Sequence, residues 1–523
     1  MGLDFVENDA TFEHAVTCAE FGKFHYFLLA VCGLIYADLA IGVTIISFVL
    51  PSAECDFQLT SQDKGWLNAA PMFGMLLGSY FWGCLADTQG RKVVLVAALL
   101  MDGIFGLLSS ISQFSSLFMV CRFFNGFGIA GAMGICFPYL GEFQPTEFRE
   151  KVLSWMELFW TFGIIALPGI AWLIIPLPIL FQVPHFKFAS WNLFIVVCSI
   201  PSLILAVWLC FFPESPKFLL ECGEHEKALD VLRHVFSVNT GVPPDEFPVA
   251  NLKERAPRVS IISIQSKRSV RSVKSVKSPK DVKLLLREVG YQTLELFYPP
   301  YRKNTILACL IQFGITSSYY TLMLWFPELF NRFDHYEREH PHSPSVSVCE
   351  VSSVYVSSNS SHTINAIEHC TETIDSSVFS HTLIIGLACI PTSLWLPLCV
   401  HKLGAKFFLV FCMLVSGGVT VGLYFVQTSN QNLLLSCIFE ALTSLGISVV
   451  YCIMVDLFPT NLRVMAAALS ATIGRVGALL GNLVFGFLID TFCVVPIMLM
   501  AALLFMSGIL AMFLPATGKE DLD

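Results

Sequence analysis

Glu142-Phe-Gln-Pro-Thr-Glu-Phe-Arg149 returns 314 positions later as Asp456-Leu-Phe-Pro-Thr-Asn-Leu-Arg463: an acid, a Pro-Thr pair and an Arg in one register. At the same offset Gln89-Gly90-Arg91-Lys92 falls on Leu403-Gly404-Ala405-Lys406, keeping the Gly and the final Lys. One offset serving two separate loops means that the chain is a duplicated object. Because each copy closes an apolar run, the long period points to two homologous membrane halves and away from a solenoid of short units.

Composition agrees. Hydrophobic residues make up 55% of the chain and charged residues 14%, against roughly 45–50% and 25% in soluble domains. A spanning helix needs about 20 apolar residues, and such runs fall at 27–50, 66–86, 93–111, 115–140, 152–175 and 189–212. Six more follow at 304–330, 381–400, 406–426, 431–455, 464–489 and 493–514. The predicted fold is an all-α membrane protein of twelve transmembrane helices in two six-helix, pseudo-symmetric bundles. Residues 1–26 form an N-tail, 27–212 the first bundle, 213–303 a linker, 304–514 the second bundle with a loop at 331–380, and 515–523 a C-tail.

Basic loops resist translocation, which sets the expected orientation. With the N-terminus inside, 25 of the 31 Lys and Arg are cytosolic, 16 of them in residues 213–303, and both termini are cytosolic. The first 26 residues are polar, so the first spanning run is expected to serve as the insertion signal. The formal charge of −9 averages over compartments that never meet. Residues 331–380 carry seven acids and two bases, whereas residues 213–303 carry 11 acids and 16 bases. No nucleic-acid partner is expected, and the chain is read as a monomer.

Of 18 Cys, most lie in apolar runs, and no CxxC or Cys-His zinc spacing occurs, so no metal is expected. Cys349 and Cys370 lie in the polar segment that the charge rule places outside the cytosol, and they are expected to pair. Asn359-Ser360-Ser361 in that segment is a glycosylation sequon. The linker stretch 266–283 repeats Ser-Val-basic and carries one acid, Asp281. It reads as disordered and partly as a contact for anionic inner-leaflet lipid, with Ser278 before Pro279 as a phosphorylation candidate.

The loop Gly83-Cys-Leu-Ala-Asp87-Thr-Gln-Gly90-Arg91-Lys92 resembles the signature of the major facilitator superfamily. Arg122-Phe-Phe-Asn-Gly126-Phe-Gly128-Ile-Ala130-Gly131 resembles its second motif, and Pro213-Glu214-Ser-Pro216-Lys217-Phe218-Leu219 resembles the sugar-porter branch. Together Asp87, Arg91, Arg122, Glu142, Arg149, Glu214, Asp456 and Arg463 are expected to form gate residues and inter-helix ion pairs holding the cytosolic side shut. In the second half Asp87 maps to His401 and Arg91 to Ala405, so the two gates are not equivalent.

Sugar transport itself is disfavoured, because Leu310-Ile-Gln312-Phe-Gly lacks the paired Gln of sugar porters. The external loop placed after the seventh helix, with Ser318-Tyr319-Tyr320, Trp325-Phe326-Pro327, Ser154-Trp155 and Ala37-Asp38, resembles the synaptic vesicle glycoprotein 2 family. That resemblance implies a glycosylated twelve-helix protein of vesicle membranes whose aromatic-lined central cavity binds small organic ligands. Ile447 stands where the family has a Trp, and the luminal loop is shorter than the family's luminal domain.

On this basis Asp38, Trp155, Tyr319, Tyr320 and Trp325 are expected to contact an amphipathic or cationic organic solute, and Glu157 and Glu440 to carry protons. No nucleophile, metal or phosphate-loop constellation points to an enzyme or a cofactor. The expected function is secondary transport by alternating access. The alternative is a non-transporting vesicle or plasma-membrane glycoprotein that uses the fold as a ligand-binding or regulatory component.

Overall fold

The computed structural model describes residues 10–184, 186–252, 290–291, 293–339, 348–352, 374–458 and 462–515. Twelve helical spans among them are long and apolar enough to cross a membrane. After a short helix α1 (Phe12–Cys18), the first half runs through α2 (Lys23–Thr44) and its continuation α3 (Ile46–Ser52), a short α4 (Glu54–Phe57), α5 (Ser61–Gln89), α6 (Arg91–Ser110), α7 (Ser115–Glu142), α8 (Thr146–Ile174) and α9 (Ser190–Leu209). A two-stranded hairpin, β1 (Leu180–Val183) and β2 (Phe186–Ala189), joins α8 to α9. Two further helices, α10 (Pro216–Glu221) and α11 (His225–Thr240), follow the sixth span. The second half contains α12 (Arg302–Glu339), α13 (Ser376–Leu403), α14 (Ala405–Tyr424), α15 (Ser429–Leu457), α16 (Arg463–Leu488) and α17 (Val494–Met512). The end holding α1 and the Gly90 turn is the near end below; the end holding α4 and the hairpin is the far end.

Local chemistry sets the helix boundaries. Thr60 caps α5: its hydroxyl accepts from the Asp63 amide at 3.2 Å while the Asp63 carboxylate accepts from the Thr60 amide at 3.0 Å, a reciprocal capping box. Gly90 ends the same helix at φ +108°, a backbone region that side chains rarely adopt. The small residues of the second motif do what their size suggests, since a Cβ on Gly126 would lie 2.2 Å from the Pro71 carbonyl oxygen. Only glycine lets α5 and α7 approach that closely.

The predicted spans and the observed ones differ most around the loop expected at 331–380. Helix α12 continues to Glu339 and α13 begins at Ser376. Hydropathy could not follow the seventh span past residue 330 because Arg332, Asp334 and Arg338 read as loop. In the fold, Arg332 and Asp334 are buried and bonded to other helices, which keeps the backbone helical. Cys370, Asn359 and residues 266–283 lie outside the described residues.

Within the first half α5 packs on α7, α6 on α7 and α9, and α2 on α8 and α9. Within the second, α12 packs on α16 and α17, and α14 on α15 and α17. Three contacts cross between the halves: α3 with α12, and two that the offset relates, α5 with α16 and α8 with α13. Under the 314-residue offset α5 corresponds to α13 and α8 to α16, so the last two are one contact used twice. The sequence repeat is therefore a pseudo-twofold axis in three dimensions.

At the far end the α5–α16 contact is backbone on backbone. A Cβ on Gly486 would stand 2.6 Å from the Gly65 Cα. Substituting Gly486→Leu should therefore wedge the two halves apart, at a cost of about 1–3 kcal/mol to the closed far end. A single cysteine placed at Thr44, buried in the parent chain, should then label faster with an impermeant thiol reagent; an unchanged labelling rate would mean that the glycine pair does not set closure.

Candidate functional site

Charges buried in a membrane protein must be paired, and the densest pairing lies at the far end. Lys64 on α5 donates to Glu328 on α12 at 2.6 Å and to Glu54 at 2.8 Å. Arg332, one turn beyond Glu328, donates through Nε to Glu328 at 2.9 Å, through Nη1 to Asp490 at 3.0 Å and through Nη2 to the Ser61 hydroxyl at 2.8 Å. Lys64 and Glu328 are 1% exposed and Arg332 is 2% exposed. The network joins the first half to the second and seals the seam above the Gly65–Gly486 contact. Sequence reading counted Lys64 and Arg332 only as far-side charges. Glu328 and Arg332, four apart at the end of an apolar run, were the available signal.

The near end is built differently from the expected cross-bundle latch. Arg91 donates to the Asp87 carboxylate and to the Ala86 carbonyl, both at 2.7 Å, and its Nε lies 3.6 Å from Glu142. Glu142 accepts a short hydrogen bond from the Ser215 hydroxyl. Glu214 accepts from the amides of Arg91, Lys92 and Ser215, each at 2.9 Å, so it caps the start of α6. Arg149 donates to the Gly141 and Gln144 carbonyls at the end of α7, at 3.1 Å each, and pairs with Glu13 of the N-tail at 3.1 Å. All of these ties stay within the first half. The side chains of Asp456 and Arg463 lie outside the described part of the chain.

Arg122 is a second correction, because it belongs to no gate. It is buried inside the first bundle, stacked over Phe118 at 5.2 Å and reaching Asn125 at 3.4 Å. Asn125 in turn donates to the Asp102 carboxylate at 2.6 Å. Asp38, expected to face the solute, joins this same interior network. Its carboxylate lies 2.6 Å from the Ser202 hydroxyl, and Asp102 lies 2.8 Å from that hydroxyl. The four helices α2, α6, α7 and α9 each contribute one or more of these groups. One hydroxyl proton cannot satisfy both carboxylates, so the geometry leaves room for one more proton between Asp38 and Asp102.

The seam between the halves holds other polar groups. Arg475 on α16 reaches across to the first half, donating to the Met75 carbonyl at 3.3 Å and lying 3.8 Å from the Met133 sulfur. It has no carboxylate partner among the described residues. Tyr320 and Tyr451 lie within its electrostatic reach, and both also lie near Glu157 of α8, together with Tyr36. Tyr319 and Tyr320 contact each other edge to face at 5.0 Å. Of the five residues expected to touch the solute, the two tyrosines stand at this seam. Trp325 is buried within the second bundle against Phe485, ring centroids 5.0 Å apart, and Trp155 is 55% exposed with no ring contact among the described residues. Arg475, Tyr36 and Tyr451 were not selected from sequence, although Arg475 inside an apolar run was a usable signal.

Above these tyrosines, toward the far end, a small, partly open chamber of about 30 Å³ lies between the halves. Its walls include Phe48 from α3, Leu167 and Pro168 from α8, Phe326 from α12, Ile385 from α13 and Glu440 from α15. Both faces of the seam thus contribute to one space.

The disulfide expectation also changes. Cys349 bonds Cys493, 144 residues away, and so ties the segment after α12 to the turn before α17. Cys55 is likewise disulfide-bonded. Cys349 is therefore not available to Cys370.

Twelve spans in two halves, a two-fold seam and an interfacial chamber define a multi-pass membrane transporter of the major facilitator type. The chain belongs to the sugar (and other) transporter family, whose model matches residues 40–332. It is 28% identical to human synaptic vesicle glycoprotein 2B over 96% of this chain and 85% of that one. It is 27% identical to mouse synaptic vesicle glycoprotein 2C over 96% of this chain and 80% of that one. The fold matches the xylose transporter XylE from E. coli in a partially occluded inward-open conformation, with a TM-score of 0.66, 15% identity and coverage of 95% and 99% of the two chains.

Removing one partner of a buried ion pair leaves the other uncompensated and costs about 3–5 kcal/mol, whereas replacing both is far milder. Lys64→Met should therefore lower the unfolding midpoint of the detergent-purified protein more than Lys64→Met combined with Glu328→Met. Additive losses in that double-mutant cycle would show that the two residues do not act as a pair.

Proposed function

We propose that the protein is a secondary carrier that moves a small organic solute by alternating access, with both termini cytosolic. The observation that carries this reading is the far-end seal. Buried ion pairs close one end of a two-fold seam beside the chamber, while the near-end ties described above are made inside one half. A seam whose ion pairs, among the described residues, cross it at one end only is what a rocking carrier needs in one of its two states. Releasing a few kcal/mol of ion pairing is enough to exchange such states.

Orientation is supported by two independent features. Most Lys and Arg fall in the loops of the near end. Cys55, Cys349 and Cys493 of the far end are oxidised, whereas Cys210 of the near end is an exposed thiol. The far end therefore faces the lumen or the exterior. Its relatives' names place a vesicle membrane first among the candidate sites of action.

Coupling is assigned to the Asp38–Ser202–Asp102 cluster rather than to solute contact. Two carboxyls sharing one hydroxyl beside Arg122 form a buried site that can take up and release one proton. Substituting Asp38→Asn should abolish solute accumulation driven by a proton gradient while leaving downhill exchange measurable. The decisive measurement is an untargeted uptake screen in proteoliposomes comparing the parent chain with Asp38→Asn and Lys64→Met. If no solute moves in any of the three, the carrier reading fails and the fold serves instead as a non-transporting ligand-binding or regulatory glycoprotein.

A further inference from the structure

Glu440 is the most exceptional charge in the molecule. It lies in the third turn of α15, is 1% exposed, and neither carboxylate oxygen has a hydrogen-bond partner. The Tyr319 hydroxyl stands close beside it on α12, and Tyr320 and the thiols of Cys389 and Cys437 lie near it. No Lys, Arg or His among the described residues pairs with it. A carboxylate so placed is costly unless something positive meets it.

What it faces is a space. Among the described residues Glu440 is the only charged side chain lining the chamber between the halves, and aromatic and aliphatic side chains make up most of the wall. The polar lining groups are Thr44, Ser47 and Thr382, and each has already spent its hydroxyl proton on a carbonyl of its own helix, at 2.7 Å in all three cases. Their free lone pairs leave the chamber with acceptors and no committed donor toward its centre. A bare metal ion would need a shell of oxygens that this apolar wall does not supply. An ammonium group carrying a short alkyl chain matches both parts: three donors for Glu440 and the hydroxyls, and carbon for Phe48, Phe326 and Ile385.

A polar stripe runs toward it from the far end. Asn432 and Ser436 precede Glu440 at four-residue spacing on α15, so the three side chains stack on one face. Both are buried, and Asn432 Nδ2 and Ser436 Oγ lack partners. At the head of this stripe Ser429 bonds Asp334 through its hydroxyl at 3.2 Å and Glu337 through its amide at 3.3 Å. Acids at the head, a buried polar stripe and the Glu440 carboxylate make this side of the second bundle favourable to a cation. Arg475 is not among the lining residues and is held by groups of the first half.

We infer that the inter-bundle chamber is a binding site for a short alkylammonium, with Glu440 as its counter-charge. This rests on the carrier reading for its place in a transport cycle, but binding itself requires no movement of solute across a membrane. The test is equilibrium binding of radiolabelled methylammonium to the full-length, detergent-purified protein, with propylammonium and propan-1-ol as competitors. Saturable binding displaced by propylammonium and not by propan-1-ol is expected. Glu440→Gln should weaken it at least tenfold, and Glu440→Asp should restore part of the loss, both at unchanged elution volume in gel filtration. Unsaturable binding, equal competition by propan-1-ol, or parent-like affinity in a folded Glu440→Gln would each overturn the assignment. Binding without uptake in proteoliposomes would leave this site standing and remove the carrier reading. Uptake confined to solutes without an amine would do the reverse.

Discussion

The contact between Lys64 and Glu328 decides the form of everything around it. Two opposite charges withdrawn from solvent hold α5 to α12, and they can do so only where the backbones of α5 and α16 touch through Gly65 and Gly486. Arg332 completes the charge balance by taking the second side of Glu328 and reaching Asp490. Because ion and glycine contacts share one end of the seam, that end is held together, and the chamber with its lone carboxylate lies deeper along the seam. The tyrosines and Arg475 follow deeper along the same seam. Without that pair, the α5–α16 and α8–α13 contacts would be equivalent halves of a two-fold arrangement with no closed side.

The first half carries a second, separate charge economy. Asp38, Asp102, Asn125, Arg122 and Ser202 come from four helices and interact with one another away from the seam. Such a network makes the bundle a rigid unit, since each member loses a partner if any helix shifts alone. The near-end ties of Arg91, Glu142, Glu214 and Arg149 act in the same direction. A half braced at its core and at one end moves as a body, and the flexible element is then the seam between the two bodies. The second half has no counterpart to Asp87 and Arg91, but its disulfide from Cys349 to Cys493 braces it at the opposite end.

Much of the fold was legible because the bilayer imposes a length on every span and the repeat imposes a register on both halves. Apolar runs located twelve spans, and the recurrence of Pro-Thr-Arg predicted the two-fold arrangement seen in the helix contacts. The site was less legible, for a physical reason. Helices that are apolar on all sides carry little signal of which face is turned where, so Asp38 and Trp325 were assigned to a cavity when both point into a bundle. Asp38 is fixed by Ser202, 164 residues away, and no local pattern announces that. Cysteine pairing failed similarly, since spacing cannot choose among partners. Tyr319 and Tyr320, which stand at the seam, were singled out because their neighbouring motif carried the resemblance, whereas Lys64 and Arg332 were overlooked because polar residues at the end of a span look like loop.

The Cys349–Cys493 bond has a topological consequence. It closes a covalent ring that contains α13, α14, α15 and α16 and every connection between them. A single cut anywhere within that ring, including in the acidic segment after α12, would leave the chain as one covalent piece whose two fragments separate only on reduction. Damage to the far-end surface would thus be recorded as a change in apparent mass under reducing conditions alone, while the second bundle kept its four enclosed helices together.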